Sequence, residues 1–156
     1  MCIRDRNENA CTPEMFVRYA QIAALMPVMQ FSASPWRVLP EADFQKVKAA
    51  LALREKCLPE IFKAVECAKV TGEPIARSME FVFPGQGMER VMDQFMVGDA
   101  LLVAPVWKQG EVVRSVTLPE GQWRCVSLGE TEGDVLNGGR NVVLGENDGL
   151  VVLRRV

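Results

Sequence analysis

Histidine is missing from all 156 residues. That absence excludes Ser-His-Asp and Cys-His nucleophilic catalysis, a histidine general base and histidine-ligated zinc. Any chemistry falls to carboxylates, lysine, cysteine or the single tyrosine. Long apolar runs are also missing: none approaches the ~20 residues of a membrane-spanning helix, so no membrane partner is expected. Neither sign of charge is in excess, with 18 Lys and Arg against 20 Asp and Glu and a net charge of −2. A nucleic-acid footprint is therefore not expected either. The five cysteines contain no Cys-x-x-Cys pair. Cys57 and Cys67 fall on different faces of a predicted helix, so no metal site is expected. Ordinary thiols favour a reducing compartment such as the cytoplasm. The first residues, MCIRDRNEN, lack the apolar segment of a signal peptide and are not expected to be one. Gly85-Gln86-Gly87 is a lone Gly-x-Gly, not a dinucleotide or phosphate loop, and no cofactor is implied.

What is present is apolar material: 49% of the residues are hydrophobic, enough for a packed core. The length suits one domain, or the tail of one plus a small second one. Near residue 72 the pattern changes from helical periodicity to short strand-like runs punctuated by Gly and Pro.

A first helix is predicted from Thr12, a good N-cap, with Pro13 and Glu14 suited to the first turn. Met15, Tyr19, Ile22, Met26 and Met29 form one apolar stripe, thickened by Ala20, Ala23 and Ala24. Pro27 is expected to kink or end it. Phe31 to Pro40 reads as a loop with Trp36 as its large apolar anchor. A longer helix is predicted from about Pro40 to Val70. Phe44, Val47, Leu51, Leu58, Ile61, Val65 and Ala68 make its stripe, and Arg54 occupies one step. Pro59 predicts a break near Leu58, and Thr71-Gly72 a stop with a left-handed glycine cap.

Strands are predicted at Pro74 to Arg77, Glu80 to Phe83, Val112 to Leu118, Gln122 to Val126, Asn141 to Leu144 and Leu150 to Leu153. Leu101 to Ala104 is a continuous apolar run, the mark of a strand buried on both faces. The turn at Pro119-Glu120-Gly121 suggests a hairpin joining its two neighbours, and Asn137 to Gly139 is a second turn. Short strands with such turns suggest a β-sandwich. Helix, loop, helix, strand is how the last units of a (β/α)8 barrel look, yet a barrel needs ~250 residues.

Four stretches resemble glycoside hydrolase family 31. Phe16 to Ser32 (FVRYAQIAALMPVMQFS) is similar to the family's helix after the seventh barrel strand, with Arg18, Tyr19, Gln21 and the later Pro27. Gly72 to Met79 (GEPIARSM) resembles its eighth strand, with Ser78 where the family usually has proline. Phe83-Pro84 ahead of Asp93 to Val106 (DQFMVGDALLVAPV) resembles the entry to its β-sandwich. Leu118 to Trp123 (LPEGQW) resembles its proline-x-glycine-x-tryptophan turn. The resemblance covers roughly residues 12 to 128, while residues 1–9 resemble nothing in the family.

The resemblance implies α/β plus all-β architecture. Residues 1–78 would supply the last helices and strand of a (β/α)8 catalytic barrel, and residues 79–156 a C-terminal antiparallel β-sandwich. The implied activity is retaining hydrolysis of α-glycosidic bonds in a carbohydrate substrate, with the missing N-terminal barrel as the partner. The family's two catalytic aspartates belong to earlier strands whose motifs do not occur here, so no catalytic residue is carried over and the isolated chain is expected to be inactive. The resemblance places Phe31 and Ser32 near the sugar. Ser32 stands where many family α-glucosidases have a histidine, and some bacterial-type members read Gln-Phe-Ser as here. From the residues alone, Ser32 is equally a loop serine. Asp93, Asp99, Glu73 and Glu80 read as local caps and ion-pair partners, and Arg77 as one half of an ion pair. Two other readings stand. A non-catalytic β-sandwich module could hold carbohydrate on Trp107 or Trp123, although Trp123 sits mid-strand. A free-standing two-helix partner domain fused to a sandwich is the other.

Overall fold

The structure is a computed structural model that describes residues 11–111, 113–126, 133–145 and 150–156. Residues 1–9, Cys2 among them, and Val112 lie outside this set.

Helix α1 (Pro13–Ala24) begins as expected: Thr12 is extended and its Oγ accepts from the Met15 N–H at 3.2 Å. Its buried face is only part of the expected one, the alanines without the larger side chains. Val17, Ala20, Gln21, Ala23 and Ala24 are buried, whereas Met15 is about half exposed. Small side chains let α1 approach α3 closely, and that contact selects the alanine face over the larger, more hydrophobic stripe. The loop that follows contains one short helix, α2 (Pro35–Val38). Trp36 on it is 67% exposed and not the buried anchor expected.

Helix α3 (Glu41–Thr71) runs unbroken through Pro59. Pro59 and Glu55 are both exposed. The missing bond to the Glu55 carbonyl therefore lies on the wet side, where water satisfies it and no break is forced. Gly72 ends the helix in the left-handed conformation (φ 76°), as the sequence predicts. The buried stripe is Val47, Ala50, Leu53, Cys57, Ile61 and Ala64, rotated from the predicted one, which leaves Leu51, Leu58 and Val65 half-buried at its flank.

The remainder is all antiparallel. Strands β1 (Ala76–Ser78), β2 (Phe95–Val97), β3 (Leu101–Pro105), β5 (Gln122–Cys125), β6 (Val135–Asn137) and β8 (Leu150–Arg155) form one sheet. Their order is β1-β2-β3-β8-β5-β6. Strands β4 (Arg114–Leu118) and β7 (Arg140–Leu144) form a second, two-stranded sheet. β1, expected as a barrel strand, is the edge of the larger sheet and pairs antiparallel with β2. The expected β4–β5 hairpin does not form: the turn at Pro119 to Gly121 carries the chain from one sheet to the other. Glu80 to Phe83, expected as a strand, is one helical turn, α4 (Met79–Val82). The Ser78 hydroxyl caps it by accepting from the Phe81 N–H, and Met79 and Phe83, four apart, turn into the same core cluster.

Period-two alternation along β3 and β8 builds two cores. Leu101, Val103, Leu150 and Val152 face the helices and meet Ala24, Leu25, Ala50, Leu53, Cys57 and Ile61. Leu102, Ala104, Val151 and Leu153 face the small sheet and meet Val116, Leu118 and Trp123. The described residues thus form three layers, helices on a six-stranded sheet on a two-stranded one. β3 is buried on both faces, as its sequence predicts.

Candidate functional site

Phe31 and Ser32 lie on the segment between α1 and α2. Three contacts shape it. The Phe31 ring stacks on Phe16 of α1, with centroids 5.9 Å apart and planes within 8°. Both rings border a small core of Val17, Ala20 and Val47. Tyr19 donates its hydroxyl to the Gln30 carbonyl at 3.0 Å. The Arg54 guanidinium donates to the carbonyls of Ala24 (2.7 Å), Met26 (2.6 Å) and Pro27 (3.3 Å). The Ala24 oxygen is one of the orphan acceptors at the end of α1 and the other two follow its cap, so a side chain of α3 takes the part of a C-terminal cap. Arg54 is the residue that sequence reasoning missed. Its one signal was a cation placed within an apolar stripe.

The result is a fixed turn that holds Phe31 half-buried and leaves Ser32 exposed. Trp36 follows on α2 with its indole mostly in water. Among the described residues no hydrogen bond joins Ser32 to a carboxylate.

The carboxylates considered from the sequence sit elsewhere, each tied to an arginine or to backbone. Asp99 accepts from Arg77 at 2.6 Å, and Glu73 pairs with the same guanidinium at 3.0 Å. Arg77 is 5% exposed, its Nε donates to the Pro74 carbonyl at 2.8 Å and its plane lies 5.6 Å from the Phe81 centroid. It is a brace between the end of α3, β1 and the β2–β3 turn. Asp93 pairs with Arg114 at 2.5 Å. Glu80 accepts from the Gly85 N–H. Each of these carboxylates is thus held in a local contact, as the sequence predicts.

Trp123 is fully buried, donates its indole N–H to the Pro119 carbonyl at 3.0 Å and meets Phe83 edge-on at 5.9 Å. It is a core residue and holds no sugar. Trp107, by contrast, is 60% exposed. Burial pushes the Cys57 thiol up to about 11, helped by the neighbouring Glu60 carboxylate. Among the described residues no group of three His, Cys, Asp or Glu side chains could hold a metal, and no helix is long and apolar enough to cross a membrane.

Residues 72–145, from the cap of α3 to the end of the small sheet, match the model of the glycosyl hydrolase family 31 C-terminal domain. The chain belongs to glycosyl hydrolase family 31. It is 38% identical over 112 residues to the myogenesis-regulating glycosidase of Mus musculus, covering 71% of this chain and 16% of that protein. It is 30% identical over 148 residues to the alpha-glucosidase of Saccharolobus solfataricus, covering 90% of this chain and 20% of that protein. The crystal structure of a GH31 alpha-xylosidase from a soil metagenome, complexed with xylose, superposes with a TM-score of 0.81 at 26% identity. That likeness covers 94% of this chain and 25% of the xylosidase. The family 31 chain described here therefore spans a quarter or less of the length of these relatives. The solved likeness extends beyond the family-model match to the helices.

Proposed function

We propose that this chain is the C-terminal part of a retaining α-glycosidase of family 31. Residues 1–78 contribute the last helices of its (β/α)8 barrel, and residues 79–156 its β-sandwich. β1 lies at the boundary, next to the helices in sequence and bonded to the sandwich sheet in space. The parent enzyme hydrolyses α-glycosidic bonds through a covalent glycosyl-aspartate, with both catalytic aspartates on barrel strands outside this sequence. Phe31 and Ser32 contact the sugar, on a loop whose shape Arg54 and Tyr19 maintain. The reading is supported chiefly by the helical layer. α1 and α3 pack on the sandwich in an order and geometry that the α-xylosidase shares, and these are the elements a barrel of that family would supply.

Two experiments test this. The DNA upstream of the reading frame is expected to encode an in-frame barrel with two aspartates on its earlier strands. A promoter and start site immediately before Met1 would sink the proposal. The isolated chain is expected to release no aryl alcohol from an aryl α-glucoside above the buffer rate. Turnover by purified chain that survives rigorous removal of contaminating glycosidases would require a carboxylate pair not foreseen here.

A further inference from the structure

We propose that the indole of Trp107 and the polar rim beside it form a surface site for a pyranose ring. A tryptophan carries about 150–250 Å² of mostly apolar surface, so leaving one in water is costly unless something covers it. Trp123 shows the ordinary outcome, fully buried with its N–H satisfied, whereas Trp107 is left 60% exposed.

The exposure is not that of a loose loop. The segment leaves β3 through Val106, which is 1% exposed and so fixes the backbone next to the indole. At its far end the Gly110 N–H donates to Glu14 Oε1 at 2.7 Å, and Arg18 donates to the Glu111 carbonyl at 2.5 Å. Gly110 turns the chain with φ 76°, which favours glycine there. Both ends of the loop are thus tied, one to the sheet and one to α1.

The rim then selects the ligand. Lys108 Nζ lies 5.5 Å from the indole centroid and pairs with Glu111 at 3.4 Å. A flat apolar face beside one donor and one acceptor suits a pyranose. Its C–H face stacks on the indole, and its equatorial hydroxyls donate to Glu111 and accept from Lys108. A nucleic-acid strand is disfavoured by the Glu14 and Glu111 carboxylates that flank the loop and by the net charge of −2. A purely apolar peptide would bury the Lys108–Glu111 pair without satisfying it. One stacked ring with two or three hydrogen bonds gives weak binding, with half-saturation at about 1–10 mM. This site goes beyond the proposed function and needs neither the catalytic aspartates nor the Phe31–Ser32 loop.

The test uses the 156-residue chain with nitrogen-15 at the indole nitrogens. Its three tryptophans give three N–H signals, assigned with Trp36→Phe and Trp107→Phe. On titration with maltotriose, the Trp107 signal is expected to move along a saturable curve while the Trp123 signal stays still and reports an intact fold. Trp107→Ala should abolish all saturable response, and Lys108→Ala should raise the half-saturation concentration several-fold. Absence of a saturable Trp107 shift would overturn the proposal. So would a response confined to Trp36, which would place the sugar by the Phe31–Ser32 loop instead. Neither result bears on the upstream aspartates, which decide the proposed function separately.

Discussion

Gly138 sits where β6 hands over to β7, and a methyl group there has no room. A Cβ added at Gly138 would lie 1.8 Å from the Pro119 carbonyl oxygen and 3.1 Å from that of Gly121. Ordinary C···O contacts are about 3.3–3.6 Å, so one of the two chain segments must retreat by roughly 1.5 Å. Three hydrogen bonds depend on their present spacing. The Gly138 N–H donates to the Gly121 carbonyl at 2.8 Å, the Gly139 N–H to the Leu118 carbonyl at 2.9 Å, and the Trp123 indole to the Pro119 carbonyl at 3.0 Å. Each contributes about 1 kcal/mol, and overpacking adds about 1–3 kcal/mol. Gly138→Ala is therefore expected to destabilise the chain by about 4–6 kcal/mol, a large share of the ~5–15 kcal/mol available to a domain. Gly139 is the control. It is left-handed (φ 73°), but an added Cβ meets only the Glu120 Cγ, at 4.0 Å. Gly139→Asn, a residue that tolerates this conformation, should cost only about 1 kcal/mol. Urea unfolding followed by far-ultraviolet circular dichroism measures both. If Gly138→Ala unfolds within 1 kcal/mol of the parent chain, or the two variants are equally weakened, the steric reasoning is wrong.

Three further predictions concern other parts of the structure. Cys57 is fully buried and its thiol is raised from 9.0 to about 11, mainly by burial and secondarily by Glu60. Above pH 9 the unfolded chain loses this proton while the folded chain keeps it. Stability is thus full below pH 9 and declines by up to about 2.7 kcal/mol as pH rises to 11; Cys57→Ala should remove that part of the alkaline decline, measured as urea midpoints at pH 8 and 10.5. Arg54→Met leaves three carbonyls at the end of α1 without their donor, which is expected to cost about 2–4 kcal/mol. Hydrogen exchange should then rise across residues 25–32, and Arg54→Lys should restore it incompletely because lysine lacks the planar fork. Gln94, 4% exposed, donates to the Thr117 carbonyl at 2.7 Å and accepts from the Thr117 N–H at 3.0 Å, acting as a one-residue strand on the free edge of β4. Gln94→Leu should lower stability by about 2–4 kcal/mol in thermal unfolding, because both backbone groups lose their partner.

The sequence announced the parts of this fold that are decided locally. Thr12 and Gly72 mark helix ends because caps act within one turn, and Leu101 to Ala104 reads as a doubly buried strand because it contains no polar residue. Helix faces were misassigned for a physical reason. Counting hydrophobicity puts Met15, Tyr19 and Ile22 at the centre of a stripe that Ala20, Ala23 and Ala24 only thicken, whereas close helix packing puts the alanines at its centre. Ser78 and the spacing of Met79 and Phe83 carried enough information to predict the helical turn at α4, but the aromatic, β-branched composition argued for a strand. Strand order was not legible at all. Nothing near Gln122 indicates that its strand pairs with β8 rather than with β4, since that choice rests on contacts distant in sequence. At the candidate site, Phe31 and Ser32 were marked by resemblance, but the side chain that shapes their loop comes from Arg54 on another helix.

The place of β8 has a consequence for how this polypeptide is made. The strand enters between β3 and β5, with Leu101 opposite Arg154 and Arg124 opposite Arg154 on its other side. Until the ribosome has released the chain through Arg155, β3 and β5 have no ladder between them, and both cores lack Leu150 to Leu153. Residues up to Cys125 must wait with apolar surface uncovered, which is when chains are most prone to associate wrongly. Closure of the sheet therefore waits until β8 has emerged. A nonsense codon between Leu144 and Leu150 would leave β1-β2-β3 and β5-β6 as two unjoined half-sheets for proteases to clear.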